Sequence, residues 1–143
     1  RGRAGPQGFR QAAHSGAMRP GKPLLAGRLG RSILLGFPGN PVSSMVCGHI
    51  FMVPALNAIQ GLGSHHAPRA SAPLSQALGA NGPREHYMRA RFQDGQIRAF
   101  ERQDSALLSV LSEANALLRR PANDPARAVG DIAEYIQIGR AHV

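Results

Sequence analysis

The chain has 143 residues, 43% of them hydrophobic, which is enough for one packed domain or two small ones. Its formal net charge of +9 would suit a nucleic-acid binder, but the basic residues are scattered and aromatic residues make up only 5%, so we expect no nucleic-acid partner. No apolar run approaches the ~20 residues that cross a bilayer, and no segment has the pattern of a secretory signal, so we expect a cytoplasmic protein with no membrane partner.

The first 17 residues have neither a helical apolar period nor strand alternation, and they are rich in Arg, Gly, Ala and Gln. We leave residues 1–17 unassigned and interpret them as disordered or non-native sequence. A stiff cationic loop follows, because Pro20 and Pro23 restrict the backbone around Arg19 and Lys22. The apolar run at 33–36 then predicts a buried strand.

A Gly/Pro turn and a long helix come next. Asn40 is a good N-cap and Pro41 suits the first helical position. Apolar residues recur at helical spacing as far as Ile59, while Pro54 predicts a kink or a split. The single cysteine, Cys47, lies on this helix and is interpreted as a small core residue. The backbone N–H groups at the start of the helix could form an anion site.

The second half of the chain has the pattern of several short strands. Asp94-Gly95 is a strong hairpin turn. Residues 84–92 alternate, with His86, Met88, Ala90 and Phe92 on one face of the predicted strand. Further strands are predicted at 72–78, 97–100, 116–119 and 131–136, with a helix at 105–114. This order predicts a small β-barrel or sandwich.

Six stretches resemble a known family. They are MRPGKPL at 18–24, LLGFPGNPVS at 34–43, VPALNAIQG at 53–61, NGPREHYMRARF at 81–92, QDSALLSVL at 103–111 and VGDIAEYIQ at 129–137. Together they resemble the C-terminal part of the molybdopterin molybdenumtransferases, which include the MoeA proteins and the gephyrin E domain.

The resemblance implies an α/β fragment followed by a small all-β, barrel-like subdomain. The fragment, residues 18–63, is the strand–turn–long helix that ends a molybdopterin-binding α/β domain, and the subdomain takes residues 64–137. Residues 138–143, IGRAHV, match the translation of a common sequencing-library adapter, and we interpret them as an adapter-derived tail.

The resembled family inserts molybdate into adenylylated molybdopterin and works as a homodimer with Mg²⁺, whose ligands we do not expect in this chain. The resemblance therefore implies a molybdenumtransferase fragment that is inactive alone, acting on molybdate or tungstate. Two alternatives stay open, a peptide-binding scaffold of the gephyrin type and a degenerate basic anion-binding fragment.

The family's site residues can be carried over motif by motif. Lys22 and Pro23 match its molybdate-site PGKP motif, and Arg19 keeps a charge that is often lysine. Of Arg84 and Arg89, one should reach the oxyanion. The remaining candidates are Ser105 of the family's Gly-Ser motif and, for the pterin phosphate or nucleotide, Pro38, Gly39, Asn40, Pro41 and Ser43.

Two positions depart from the family pattern. Asp104 stands where the family has glycine, which adds a negative charge beside Ser105. His86 replaces an acidic residue on the arginine-bearing strand. We expect no metal site in this chain, because the adjacent His65 and His66 lack a second group of ligands nearby in sequence.

Overall fold

The computed structural model describes residues 9–15, 18–21, 24–63, 66–104 and 108–139, which form a mixed α/β fold with two β sheets. The first sheet is antiparallel and has three strands in the order β1-β3-β4. They are β1 (Phe9–Ser15), β3 (Leu24–Leu29) and β4 (Ser32–Gly36). The predicted strand at 33–36 is confirmed as β4, which pairs antiparallel with β3. The expectation that this strand is buried is wrong, because Ile33 is 56% exposed and Leu34 and Leu35 are only half-buried.

Strands β1 and β3 were not predicted, and the expectation of disorder is wrong for residues 9–15. The pairing of β1 with β3 is irregular between Gln11 and Ala13, where the register shifts. A shift of this kind breaks the period-two pattern by which a strand is recognised in sequence.

The long helix is divided into three parts, which confirms the split expected at Pro54. These are α1 (Pro41–Cys47), a π-helical segment (Gly48–Met52) and α2 (Val53–Ile59). A proline ring inside a regular helix collides with the carbonyl four residues before it. Here the Val53 N–H reaches back to the Gly48 carbonyl, and the wider turn absorbs that conflict.

The second sheet has six strands. Their order is β2-β6-β8-β9-β5, with β7 also paired to β6. The strands are β2 (Met18–Arg19), β5 (Ala70–Pro73), β6 (Glu85–Gln93), β7 (Gln96–Ala99), β8 (Ala116–Arg120) and β9 (Ile132–Gln137). Helix α3 (Leu108–Glu113) lies between β7 and β8 in the chain.

The hairpin between β6 and β7 is confirmed at Asp94-Gly95. Both turn residues have positive φ, 52° and 75°, as a type I′ turn requires. Beyond the end of β5, Leu74 forms a parallel bridge with Ile97, so the strand at one edge of the sheet touches β7. The barrel-like closure that we expected depends on that single bridge and stays a prediction.

Two apolar clusters fill the faces of β6, as its alternation predicts. Tyr87 belongs to one cluster, and Ala90 belongs to the other. The first cluster joins residues from both sides of the predicted boundary at 63/64: Met18, Val46, Cys47, Ala67, Tyr87, Leu117 and Ile136. Cys47 is buried as expected, and burial raises the pKa of its thiol to about 11.

The helical segment leaves much of its apolar surface uncovered. Met45, Leu56 and Ile59 are 48%, 47% and 64% exposed. Contrary to our expectation from the sequence, Pro41–Ile59 is long and apolar enough to cross a membrane by length and composition. Core helices pass the same test, and Val46 and Cys47 of this helix pack into the first cluster.

The interpretation of residues 138–143 as an adapter-derived tail stays a prediction, although its first residue has contacts with the rest of the fold. Ile138 packs against the first cluster, and its N–H donates to the Asn115 carbonyl at 3.0 Å. Residues 140–143 lie outside the described part of the chain, as do residues 1–8 at the other end.

Candidate functional site

A cleft of about 340 Å³ lies where β2 meets β6. Strand β2 runs parallel to the start of β6, pairing Met18 with Glu85 and Arg19 with His86. The cleft is lined by residues from both parts of the chain: Met18, Arg19, Pro20, Gly21, Ser43, Arg84, His86, Arg89 and Gln103. The cleft therefore brings together all three predicted arginines, Arg19, Arg84 and Arg89, and the predicted Ser43.

Arg89 is the most unusual residue of the cleft because its charged side chain is fully buried, at 0% exposure. Its Nη2 donates to the Asp104 carbonyl at 3.2 Å. Within the described part of the chain, its Nε and Nη1 have no hydrogen-bond partner. Burial lowers the pKa of Arg89, and the charge of Asp104 partly opposes that effect. A buried charge without its hydrogen bonds is costly, so the site is suited to an anion.

Gln103 fixes the position of Arg89. Its Oε1 accepts from the Arg89 N–H at 2.9 Å, and its Nε2 donates to the carbonyls of Arg89 at 2.9 Å and Phe100 at 2.7 Å. The amide thus continues the pairing along the edge of β6 between β2 and β7. This residue was not predicted from the sequence, since a lone glutamine in a loop carries no pattern.

We expect Gln103→Met to destabilise the chain by about 1–3 kcal/mol, because it leaves the buried Arg89 N–H without a partner, while the Arg89 carbonyl keeps its bond from the Phe100 N–H at 3.0 Å. Chemical unfolding measures this loss. Gln93→Met, at an exposed position on the same strand as Arg89, is the control and should change stability by less than about 0.5 kcal/mol. Equal effects of the two substitutions would contradict the prediction.

Arg84 is held at the mouth of the cleft by its backbone. The Asn81 Nδ2 donates to the Arg84 carbonyl at 2.9 Å and to the Pro121 carbonyl at 2.6 Å, which ties the loop before β6 to the end of β8. Arg84 is half-buried, whereas Arg89 is enclosed. The structure thus places both arginines at the cleft, and which of them reaches the oxyanion stays a prediction.

His86 is 9% exposed and its Nδ1 lies 3.0 Å from the Arg19 Nη2. Burial, and then the charges of Arg19, Arg89, Arg120 and Arg84, lower the pKa of His86 to about 4. The imidazole is therefore neutral at pH 7, and the positive charge of the cleft comes from its arginines.

Gly21 lets the chain turn close to the helix. Its φ is +131°, and a Cβ there would lie 2.7 Å from the Cys47 Sγ and 2.8 Å from the Met18 Cε. Such distances force the neighbouring side chains to move. The loop that begins the PGKP motif is thus held against α1 by a residue without a side chain.

We expect Gly21→Ala to lower the free energy of unfolding by about 1–3 kcal/mol, from the clash and the positive φ together. Thermal and chemical unfolding would measure it. Gly39→Ala is a matched control, since no atom lies within 4 Å of a Cβ at that position. A Gly21→Ala protein as stable as the Gly39→Ala protein would contradict the prediction.

The Gly/Pro turn contributes one side chain to the cleft, that of Ser43, which is buried. Asn40 is the N-cap as predicted, and its Oδ1 accepts from the Ser43 N–H at 3.1 Å. The Ser44 N–H donates to the Asn40 carbonyl at 2.9 Å. The Ser44 bond is the first regular bond of α1, so one of the backbone donors that we expected to be free for an anion, the Ser43 N–H, is already satisfied.

The other turn residues shape the chain rather than line the cleft. Pro38 is buried and its carbonyl accepts from the Ser44 hydroxyl, whereas Gly39 and Pro41 are exposed. Three further candidates, Lys22, Pro23 and Ser105, lie outside the described residues. Lys22 follows Gly21 directly in the chain, and Ser105 follows Asp104.

The donor set of the cleft does not fit Mg²⁺. Magnesium prefers carboxylate and other oxygen ligands. The described residues that line the cleft include arginines and a histidine but no carboxylate. Elsewhere in the described ranges, groups of three or more His, Cys, Asp or Glu side chains that could hold a metal ion are also absent.

A larger groove of about 730 Å³ lies beside the β6–β7 hairpin, away from the predicted residues. Two of the three arginines that line it are already engaged, because Arg91 donates to the Glu113 carbonyl at 3.2 Å and Arg98 to the Gln76 Oε1 at 3.0 Å. Asp94 and Glu101 add negative charge to its walls. The smaller cleft is the better candidate for an anion.

Residues 71–138 match the family described as MoeA C-terminal region (domain IV). Molybdopterin molybdenumtransferase 2 of Mycobacterium tuberculosis is 34% identical over 107 residues, which cover 73% of this chain and 26% of that protein. The chain is related to the C-terminal part of the MoeA family.

Two more distant proteins agree with this relationship. Gephyrin of Dictyostelium discoideum is 28% identical over 150 residues, covering 85% of this chain and 21% of that protein. A molybdenum cofactor biosynthesis protein from Pyrococcus furiosus superposes with a TM-score of 0.75 at 21% identity, covering 91% of this chain and 46% of that one. The chain thus has the fold of MoeA proteins and spans about a quarter of the length of its curated relatives.

Proposed function

We propose that the chain is the C-terminal part of an enzyme that inserts molybdate into adenylylated molybdopterin, and that its cleft holds the oxyanion. The observation that carries the proposal is the buried guanidinium of Arg89, with two N–H donors that lack partners among the described residues. A relative that is named a molybdopterin molybdenumtransferase supplies the identity of the anion.

The chemistry of the cleft suits a tetrahedral dianion. Arginine offers several N–H donors in a planar fork, and charge-assisted hydrogen bonds are about twice as strong as neutral ones. Arg19 and Arg84 add positive charge beside Arg89, and Ser43 supplies a hydroxyl. Insertion of an oxyanion needs positioning and charge stabilisation rather than a covalent nucleophile.

Three candidates that lie outside the described residues belong to the same proposal. We place Lys22, Pro23 and Ser105 at the same oxyanion, because each is within two positions in sequence of Gly21 or Gln103, which line the cleft. Asn40 and the rest of the PGNPVS turn would support the pterin phosphate or nucleotide mainly by fixing the position of Ser43.

This chain alone should not turn over substrate. The Mg²⁺ and nucleotide contacts would come from the other parts of a full-length cytoplasmic homodimer, since the chain spans 26% of its relative. The isolated chain is therefore expected to bind molybdate without releasing AMP from adenylylated molybdopterin. Release of AMP by the isolated chain would contradict the proposal that turnover needs the other parts of the protein.

The test is calorimetric titration of molybdate into the chain at low ionic strength, in a buffer free of sulfate and phosphate. We expect one saturable site, competition by sulfate and tungstate, and at least tenfold weaker binding by Arg84→Ala. Arg98→Ala removes the same charge outside the cleft and should bind within about twofold of wild type. Absence of saturable binding, or equal losses in the two variants, would refute the proposal.

A peptide-binding scaffold remains the second candidate, because a relative is named gephyrin and the helix exposes Met45, Leu56 and Ile59. It predicts that an apolar peptide binds the helical segment and that molybdate does not compete. Substitution of Leu56 and Ile59 by Lys would abolish peptide binding and leave molybdate binding unchanged.

A further inference from the structure

The contact between Arg19 and His86 has a defined direction. A guanidinium N–H can only donate, so the His86 Nδ1, 3.0 Å from the Arg19 Nη2, must be the acceptor. A neutral imidazole with one acceptor nitrogen carries its proton on the other. The contact therefore requires the neutral tautomer with the proton on Nε2.

The choice of a histidine here affects the charge of the cleft. Arg19 is an exposed side chain on the two-residue strand β2, and a long exposed side chain is costly to hold in one conformation. A carboxylate at position 86 could hold Arg19 as an ion pair, but it would add one negative charge against the bound anion. A neutral imidazole holds the guanidinium and adds none.

We propose that His86 is a positioning residue for oxyanion binding, which as a neutral acceptor holds Arg19 at the cleft without cancelling its charge. The proposal rests on the proposed function of the cleft. It assigns a role to the position where the sequence departs from the acidic residue of the resembled family.

The charged groups that surround His86 support its neutral state. Arg19 faces it from β2, and Arg120 faces it from β8. Arg89 lies on the same strand as His86, and Arg84 lies in the loop before that strand. All four are cations, and burial acts in the same direction, so protonation of the imidazole is strongly disfavoured. The acceptor therefore persists across the neutral pH range.

Binding of sulfate and molybdate to wild type and five variants, the fourth and fifth being Arg19→Ala and its combination with His86→Ala, tests the role. His86→Gln keeps an acceptor and should bind within about threefold of wild type. His86→Ala should bind about 2–12-fold more weakly, because Arg19 must then be ordered by the anion itself. His86→Asp should lose at least tenfold, and His86→Ala should have no further effect in an Arg19→Ala background.

Nuclear magnetic resonance of the His86 ring gives a readout that a merely structural role would not produce, with His86→Gln identifying its signal. We expect the Nε2–H tautomer at pH 7 and no titration between pH 5.5 and 8.5. Arg19→Ala should raise the pKa of His86, since a neighbouring positive charge is removed. A titration near pH 6.5, the opposite tautomer, or additive effects of His86→Ala and Arg19→Ala would overturn the proposal.

The two proposals fail in distinguishable ways. If the wild-type chain binds neither sulfate nor molybdate, the proposed function fails, and the tautomer and the response to Arg19→Ala still decide whether His86 holds Arg19. If wild type binds and His86→Asp binds equally well, the function stands and the positioning role falls. Unfolding midpoints of all variants identify any that lose binding because they no longer fold.

Discussion

Replacing Arg89 with methionine is expected to abolish oxyanion binding while leaving the chain as stable as wild type or more stable. Two donor nitrogens of Arg89 lack partners among the described residues, so the folded chain carries a desolvated charge there. Replacing a buried ion pair by apolar side chains of similar volume is often neutral or stabilising by about 1–4 kcal/mol, and we expect the same for a buried guanidinium with unsatisfied N–H groups. Each charge-assisted bond lost to the anion costs about 1.5–3 kcal/mol, so two of them amount to a loss of more than about 100-fold in affinity.

Molybdate titration and chemical unfolding of the same samples measure both effects. Arg98→Met is the matched control, since it changes the same side chain at an exposed position and should alter neither quantity strongly. Molybdate should also raise the unfolding midpoint of wild type and not that of Arg89→Met. A variant that is destabilised by 2 kcal/mol (about 30-fold in the unfolding equilibrium) or that still binds would show that Arg89 is a structural residue.

Replacing Asp124 with alanine is expected to cost about 3–5 kcal/mol of stability, the largest loss that we predict for any substitution in the chain. Asp124 and Arg120 are each 5% exposed, and the Arg120 Nε donates to the Asp124 Oδ2 at 2.6 Å. Arg127 donates to the other oxygen at 2.5 Å. Alanine would leave the buried Arg120 charge with carbonyl acceptors alone, those of Gly79 and Pro125.

The same network predicts a dependence on pH. Hydrogen bonds from Arg127, and then the one from Arg120, lower the pKa of Asp124 in the folded chain, while burial opposes them. A lowered folded pKa contributes stability that is present above the unfolded value, about 4, and is lost as pH falls through the folded value. The stability gap between wild type and Asp124→Ala should therefore narrow below pH 4.

Urea unfolding between pH 2.5 and 7 measures that gap. Glu101→Ala serves as the control, because Glu101 is an exposed acidic residue outside this network. Its effect should be below about 0.5 kcal/mol at every pH. A constant gap between wild type and Asp124→Ala down to pH 2.5 would mean that the carboxylate charge contributes little.

Local patterns in the sequence predicted most of the elements that neighbouring residues decide. The Asn40 cap, the interruption at Pro54 and the Asp94-Gly95 hairpin each depend on residues within a few positions, so they could be found without the fold. Strand β1 could not, because its register against β3 shifts between Gln11 and Ala13 and breaks the period-two pattern. Strand β3 was missed although its pairing with β4 is regular and local.

The cleft was predicted only in part, because local motifs identify its residues but not their arrangement. Arg19, Ser43, Arg84 and Arg89 were identified through motifs, and the structure brings them together. That Arg89 would be buried, with donors that lack partners among the described residues, depends on the register of β6 against β8 and on the loop held by a glutamine amide, which a single strand pattern does not reveal.

The pairing of β2 with β6 determines where this chain can be joined to a relative in a chimera without mixing the residues of the cleft. Arg19 reaches the cleft through a strand of two residues that aligns with Glu85 and His86, while Ser43 arrives on α1. A chimera joined to a relative at residue 71, the start of the matched family region, would take its two cleft walls from different parents. A chimera that keeps the cleft intact at this end of the chain therefore needs its junction before Met18, so that both walls come from the same parent protein.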